Sequence, residues 1–323
     1  MQKPHYLQKG NKIGIIAPAK RITQEEITFA IQLLESWGLK IVLSKHLFGE
    51  YYQFSGTADQ RQEDLQEMLD NTEIKAILCA RGGYGSVQYV DKLDFTKFLQ
   101  NPKWLVGFSD VTVLLAKLLS LEVMSLHAPM PAMFQKNTSE SLERLRKCLF
   151  GDFEKPPLTP PLKEGDEKLP SFEGGAGGGF LILKPHQYNR NGIANATLVG
   201  GNICLIATQI GTPTQINTEN KILFLEDVGE YLYNLDRMLY QYKRAGMFDA
   251  LSGLIIGQIS KSKPENPPFD KLEYEIVRDI VAEYSFPMAY NFPTGHEEEN
   301  YALICGEKAF LEVKSESVVF YQK

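Results

Sequence analysis

The feature that most limits what this chain can fold into is an alternation that fills roughly its first 140 residues. Short apolar runs recur at Asn11–Ala19 ("NKIGIIAPA"), Leu39–Ser44, Ile74–Ala80 ("IKAILCA"), Lys103–Phe108 ("KWLVGF") and Val123–Met130 ("VMSLHAPM"). Each reads as a buried strand running into a loop. Between them lie segments with a different period. Ile27, Ile31, Leu34 and Trp37 recur at helical spacing, and Gly38 follows as a C-terminal stop. Leu65, Met68 and Leu69 share one side of Ala58–Leu69, "VQYVDKLDFTKFLQ" is helical in part, and the run after Ser109 is apolar and helix-forming. Strand alternating with helix predicts a parallel, doubly wound sheet. Such sheets bind ligands outside the carboxyl ends of their strands. The loops "APAK", "RGGYG", "GFSD" and "HAPMP" all follow predicted strands, so they should gather along one edge.

The pattern breaks at Phe153–Glu173, where proline, lysine and acidic residues dominate and no period survives. This predicts a linker, extended by the glycine run Gly174–Gly179. No helix opening on Lys-Ser/Thr follows that run, so it lacks the rest of a phosphate-binding loop. From Phe180 onward the strand-like runs are "ATLVGGNICLIATQ", "KILFLED", "SGLIIGQ", "MAYNFPTG", "ALICGEKAFLEV" and "SVVFYQ". Helices are expected near 232–245 and 270–285, and the last two strands should form an antiparallel hairpin. A chain of 323 residues is more than one core usually organises. The expected fold is therefore α/β: an N-terminal Rossmann-like parallel-sheet domain over 1–150, a linker over 151–179 and a C-terminal α+β domain over 180–323.

Composition removes several function classes. The net charge of −6 offers no basic footprint for nucleic acid. No apolar leader and no run of about eighteen apolar residues points to secretion or to a membrane span. Cys79, Cys148, Cys204 and Cys305 are scattered without CxxC spacing, which fits buried thiols in a reducing compartment, the cytoplasm. HExxH and clustered His/Cys are absent, so no metal is expected. The order G-G-Y-G at Gly82–Gly85 is not a dinucleotide fingerprint, so no cofactor is expected either.

The chemistry-bearing candidates allow two readings each. Ser109 in "GFSD" stands between a strand and a helix, where serine is a favoured N-cap and Asp110 complements the helix dipole. The same place offers free backbone N–H groups for an oxyanion, and G-F-S-D echoes a nucleophile elbow without its second glycine. A serine nucleophile needs a base and an orienting acid. Of the histidines, His5 lies in the N-terminal tail, His46 follows an early strand and His186 lies near the glycine run. His127 fits a half-buried structural role but lies after a strand, within reach of the same edge. His296 sits in "NFPTGH", a loop framed by proline and glycine. Glu226 ends an apolar strand, where an unpaired carboxylate would be costly. Asp227 should point elsewhere, and Glu230 and Asp236 belong to the following loop and helix. Arg81 either pairs with a substrate carboxylate or is structural, and Cys79 reads as core.

Taken together, "RGGYGS", "LVGFSDVT", "HAPM", "GGNICLIATQIGTP", "ILFLEDVGEYLYNLDRML" and "FPTGH", in this order, resemble the LD-carboxypeptidases of serine peptidase family S66. The likeness runs from "GIIAPA" to about Glu312; only "SFEGGAGGGFLILKP" fits it poorly. It implies a Ser109 nucleophile, a His296 base, a Glu226 orienting acid, and oxyanion donors at the backbone of Asp110 and of Gly83, with Gly82 the neighbouring choice. It also implies a murein peptide substrate losing a terminal D-alanine, and a homodimer. A sister activity on peptidyl-nucleotide antibiotics of the microcin C type, and a non-catalytic nucleotide- or ligand-binding module built on "RGGYG", are the alternatives.

Overall fold

The computed structural model describes residues 1–153 and 180–322. Most of the expected linker, including Gly174–Gly179, lies outside the described residues. In the first half the order is β1 (Lys12–Ile16), α1 (Gln24–Ser36), β2 (Lys40–Leu43), α2 (Ala58–Asp70), β3 (Ile74–Cys79), α3 (Thr96–Gln100), β4 (Trp104–Gly107), α4 (Thr112–Ser120), β5 (Ser125–His127) and α5 (Ser139–Phe150). The second half holds β6 (Phe180–Leu183), β7 (Gly192–Asn202), α6 (Ile203–Gln209), β8 (Lys221–Val228), α7 (Leu232–Arg244), β9 (Gly253–Ser260), α8 (Glu273–Ile280), β10 (Met288–Ala289), β11 (Leu303–Cys305), β12 (Lys308–Val313) and β13 (Val318–Gln322).

The fold is mixed α/β, as the alternation predicts. Among the described residues the first sheet runs β11-β5-β4-β3-β1-β2. Strands β1 to β5 pair in parallel. Strand order reverses between β1 and β3, so the loops leaving them diverge and open a crevice. Two helices beside it start on capping boxes: Thr23 with Glu26 at α1 and Thr57 with Gln60 at α2. Each box satisfies orphan N–H groups at both ends of the first turn, which fixes where the loop stops and the helix begins.

The second sheet runs β10-β9-β8-β7-β12-β13-β6. Its β7 to β10 portion is parallel, and the β12–β13 hairpin is antiparallel as expected. Two apolar runs divide in ways their composition hides. "ATLVGGNICLIATQ" is strand only to Asn202; there Asn202 Oδ1 accepts from Leu205 N–H at 3.2 Å and starts α6. "ALICGEKAFLEV" turns at Gly306, φ +91°, and sends β11 antiparallel onto β5 of the first sheet and β12 into the second. The helix α5, amphipathic through Leu142, Leu145, Cys148 and Leu149, lies in a stretch left unassigned from sequence.

The halves share a core. One continuous apolar cluster joins Ile16, Leu105 and Leu114 of the first half to Leu198, Phe224 and Leu254 of the second. A second cluster, with Ile13, Ile15, Leu34 and Trp104, fills the other face of the first sheet. Within the second sheet the backbone is tight: a Cβ on Gly200, φ +146°, would lie 1.9 Å from the carbonyl oxygen of its β8 neighbour Phe224. Gly200→Ala is therefore expected to cost roughly 3 kcal/mol of stability, measured by urea unfolding. A change inside the roughly ±0.5 kcal/mol typical of neutral surface substitutions would contradict this packing.

Candidate active site

The sharpest local feature is the turn after β4. Phe108 is extended, but Ser109 has φ +61°, a region that residues other than glycine rarely occupy. Backbone strain of this kind persists only where the surroundings hold it. Gly107 makes the turn sterically feasible, since a Cβ there would sit 2.8 Å from Val111 Cγ1. A short 3-10 turn, Ser109–Val111, then leads into α4. The cap reading of Ser109 does not hold: neither start carries a side-chain cap bond. Ser109 is half-buried, and its hydroxyl makes no hydrogen bond among the described residues.

Three of the four strand-end loops meet at this hydroxyl. A Cβ on Gly82 would stand 3.3 Å from Ser109 Oγ and 3.3 Å from Met130 Cε. The fourth joins through its backbone, with Lys20 N–H donating to the Gly82 carbonyl at 3.3 Å. Asp110 has a role that its place in a first helical turn does not reveal. Its carboxylate is fully buried and accepts from Gly85 N–H at 3.2 Å and Ser86 N–H at 3.0 Å. Burial pushes its pKa up, against those hydrogen bonds. The serine turn and the glycine loop are thereby tied together. Beneath the loop lies Arg61, buried over the Phe54 ring at 4.7 Å, with Nη1 donating to the Pro18 carbonyl at 3.0 Å. A Cβ on Gly85 would come within 2.3 Å of that Nη1, so this glycine admits the guanidinium. Sequence reasoning missed both contacts. A basic residue on the buried face of α2 was the one available signal for the second.

The second half brings its acid and histidine together. The β8–β9 register shifts between Leu225 and Asp227, so Glu226 sits in a bulge, a device that re-aims a side chain. Opposite it, a Cβ on Gly257 would approach the Thr294 carbonyl oxygen to 2.5 Å and Glu226 Cβ to 3.2 Å, so glycine lets the 294–296 loop cross over the acid. Gln258 N–H holds Thr294 O at 2.9 Å, and Gly295 N–H, at φ +140°, donates to Asn300 Oδ1 at 3.2 Å. The result is a bond of 2.8 Å between His296 Nδ1 and Glu226 Oε2. Nδ1 donating to the carboxylate leaves Nε2 as the free acceptor. Burial alone would lower the histidine's pKa, but the Glu226 charge and hydrogen bond outweigh it and raise it. Burial likewise pushes Glu226 up, and the charge and hydrogen bond of His296 bring it below the usual range.

The ring of His296 lies 4.7 Å from that of Phe108, the residue before Ser109. The dyad thus stands beside the serine turn; Ser109 Oγ and His296 share no hydrogen bond in this structure. His127 is not half-buried but completely enclosed, between Phe108 at 5.8 Å and Phe224 at 4.9 Å. Burial drives its pKa down to about 4, which keeps it neutral.

The remaining candidates have other occupations. Asp227 accepts from Asn202 Nδ2 at 3.0 Å and Cys204 N–H at 3.1 Å, capping α6, and burial pushes it up to about 7. Glu230 bonds Asn234, and Asp236 lies on α7. Arg81 pairs with Glu26 at 3.0 Å. His46 bonds Asp64 at 2.9 Å, His186 packs among Tyr188, Tyr274 and Tyr290, and His5 is exposed. Cys79 is buried core, its thiol pushed far up by desolvation. A cavity of about 590 Å³, lined by Leu119, Val199, Ile216 and Gly306 among others, includes none of the serine, histidine or glutamate.

Comparison with known proteins identifies the family. The family model described as the LD-carboxypeptidase N-terminal domain matches residues 13–128, and that of the LD-carboxypeptidase C-terminal domain matches 195–311. A putative carboxypeptidase of Synechocystis sp. is 30% identical, covering 96% of this chain and 94% of that protein. The murein tetrapeptide carboxypeptidase of Pseudomonas aeruginosa is 29% identical, over 93% of each. The microcin C7 self-immunity protein of Escherichia coli is 23% identical, over 97% of this chain and 93% of that one. Among solved structures, muramoyltetrapeptide carboxypeptidase from Oxalobacter formigenes superposes with a TM-score of 0.79 at 23% identity, over 97% of this chain and 98% of that one.

The Asp110 clamp is testable by itself. Asp110→Ala strands two buried N–H groups and is expected to cost roughly 2–4 kcal/mol, with faster amide hydrogen exchange confined to the loop around Gly85 and Ser86. Unchanged protection there would show that the carboxylate does not hold the loop.

Proposed function

The chain belongs to the LD-carboxypeptidase family, and on that premise we propose that it is a serine carboxypeptidase removing the terminal D-alanine of murein tetrapeptides. The observation that carries the reading is the Glu226–His296 bond of 2.8 Å, set against the ring that precedes a strained serine whose hydroxyl is unbonded among the described residues.

In this mechanism His296 Nε2 takes the proton as Ser109 Oγ attacks the carbonyl of the L-configured centre before the D-alanine. Glu226 fixes the imidazole tautomer and stabilises the imidazolium that forms. Backbone N–H groups of Asp110 and Gly83 stabilise the oxyanion, an effect of roughly 3–4 kcal/mol per donor in comparable sites. The tetrahedral intermediate collapses with protonation of the departing amine by His296, and water then releases the acyl group. Neither step draws on a metal or a cofactor. Residues 1–150 carry the nucleophile and residues 180–323 the acid and base. A cytoplasmic, homodimeric enzyme completes the proposal, resting on the family likeness and on free thiols at the four cysteines.

The murein peptide is favoured because a relative bearing that name is 29% identical. The near full-length likeness to a microcin C7 self-immunity protein supports a peptidyl-nucleotide as the second substrate class. Assays of D-alanine release from L-Lys and diaminopimelate tetrapeptides, beside aminoacyl-nucleotide hydrolysis, decide between them. Ser109→Ala is expected to lower turnover of the true substrate at least ~10⁴-fold; turnover retained in that variant contradicts the mechanism.

The pH profile carries a sign. A base whose pKa is raised above about 6.5 is protonated, and inactive, below that raised value. The acidic limb of kcat/KM should therefore have its midpoint above 6.5. Glu226→Gln removes the charge that raises it, so burial then dominates and the limb moves to lower pH, while kcat falls by about 10⁴. A limb that stays in place in this variant would show that Glu226 does not control the base.

A further inference from the structure

A carboxypeptidase gains selectivity for the chain end by holding the free carboxylate of the residue it releases, one residue beyond the attacked carbonyl. A cation within reach of the oxyanion loop is the natural partner. The cations around this site are mostly engaged. Arg81 bonds Glu26 at 3.0 Å, and Arg21 faces Glu50 at 3.8 Å. Arg61 is buried and donates to Pro18 and Gln88. Lys261 faces Glu297 at 3.8 Å.

Lys20 differs. It lies in the loop after β1, at the edge of the β1/β3 crevice, with its N–H on the Gly82 carbonyl. Its stem runs along Gly83 so closely that a Cβ there would come within 2.6 Å of Lys20 Cγ and 2.7 Å of Cδ. The glycine, at φ +120°, provides the groove in which the aliphatic part is half-buried. Among the described residues no carboxylate pairs with the Lys20 ammonium. A stem fixed by packing and an unengaged charge at its end suit anion capture, because little side-chain freedom is left to lose.

Resting on the carboxypeptidase reading, we infer that Lys20 forms the subsite for the substrate's terminal carboxylate, lying across Gly83 beside the Ser109 turn. The ammonium donates to the carboxylate, and the flanking glycine amides stay free for the oxyanion. Lys20 acts on binding and specificity, so its loss falls on KM rather than on kcat.

The test compares a tetrapeptide ending in free D-alanine with the same peptide ending in D-alaninamide. Wild type should prefer the free acid. Lys20→Met, which keeps the stem against Gly83, should collapse that preference in kcat/KM by roughly 10–100-fold, the range of a charge-assisted hydrogen bond, through KM. Lys20→Arg should retain much of it. The inference is overturned if wild type cleaves both peptides equally, or if Lys20→Met cleaves them with the wild-type preference; the carboxypeptidase reading survives both. Wild type that releases nothing from either peptide overturns the carboxypeptidase reading, and the Lys20 subsite with it.

Discussion

A carboxylate with no exposed surface, bonded to one imidazole, is the interaction on which the rest of this site depends. Burying an ionised Glu226 is expensive unless a partner offsets the lost hydration. His296 supplies that partner, and its own affinity for a proton rises in return. Much of the surrounding backbone exists to permit the contact. The β8 bulge aims Glu226, Gly257 clears the path of the 294–296 loop, and Gln258 and Asn300 hold that loop by its backbone. The Phe108 and Phe224 rings enclose the neutral His127, and Phe108 also lies 4.7 Å from His296, so the pair has an apolar flank. That flank strengthens the charge interaction beside it.

The serine side is built by a different route and meets the dyad through the shared core. Asn202 N–H donates to Thr112 Oγ1 at 3.2 Å, so the end of β7, paired with Glu226 in register, is fastened to the first turn of α4. The chain then returns as β11 to the first sheet, directly after the 294–296 loop. Two halves that share an apolar cluster, with β11 of the second extending the first sheet, are held in one arrangement. A hinge opening wide between them would expose that cluster. Access to the serine therefore falls to the loops at the strand ends, where Lys20, Gly82 and Gly83 lie.

Much of the first half was legible because period and punctuation agree there: each apolar strand ends in a Gly- or Pro-bearing loop, and α1, α2 and α5 each start on a capping threonine. The second half was less so, since "ATLVGGNICLIATQ" is apolar on both sides of Asn202, and only the cap shows where strand gives way to helix. The split of "ALICGEKAFLEV" between two sheets depends on tertiary pairing that no local pattern encodes. At the site, Ser109, Glu226 and His296 could be named from motifs, but Ser109 read alone favoured a helix cap. Its positive φ and unbonded hydroxyl are properties of the folded turn. The Asp110 clamp and the Arg61 prop lie outside any linear motif, because each acts on a loop at least 24 residues away.

The central claim is that Ser109 becomes covalently acylated with the Glu226–His296 pair as its base. Rapid quenching of the enzyme with an activated peptide ester, followed by peptide-level mass spectrometry, tests it most directly. The account predicts one acyl group per chain, located on Ser109, accumulating in a burst that Glu226→Gln slows. Hydrolysis that proceeds with no adduct, or an adduct on another residue, would contradict it.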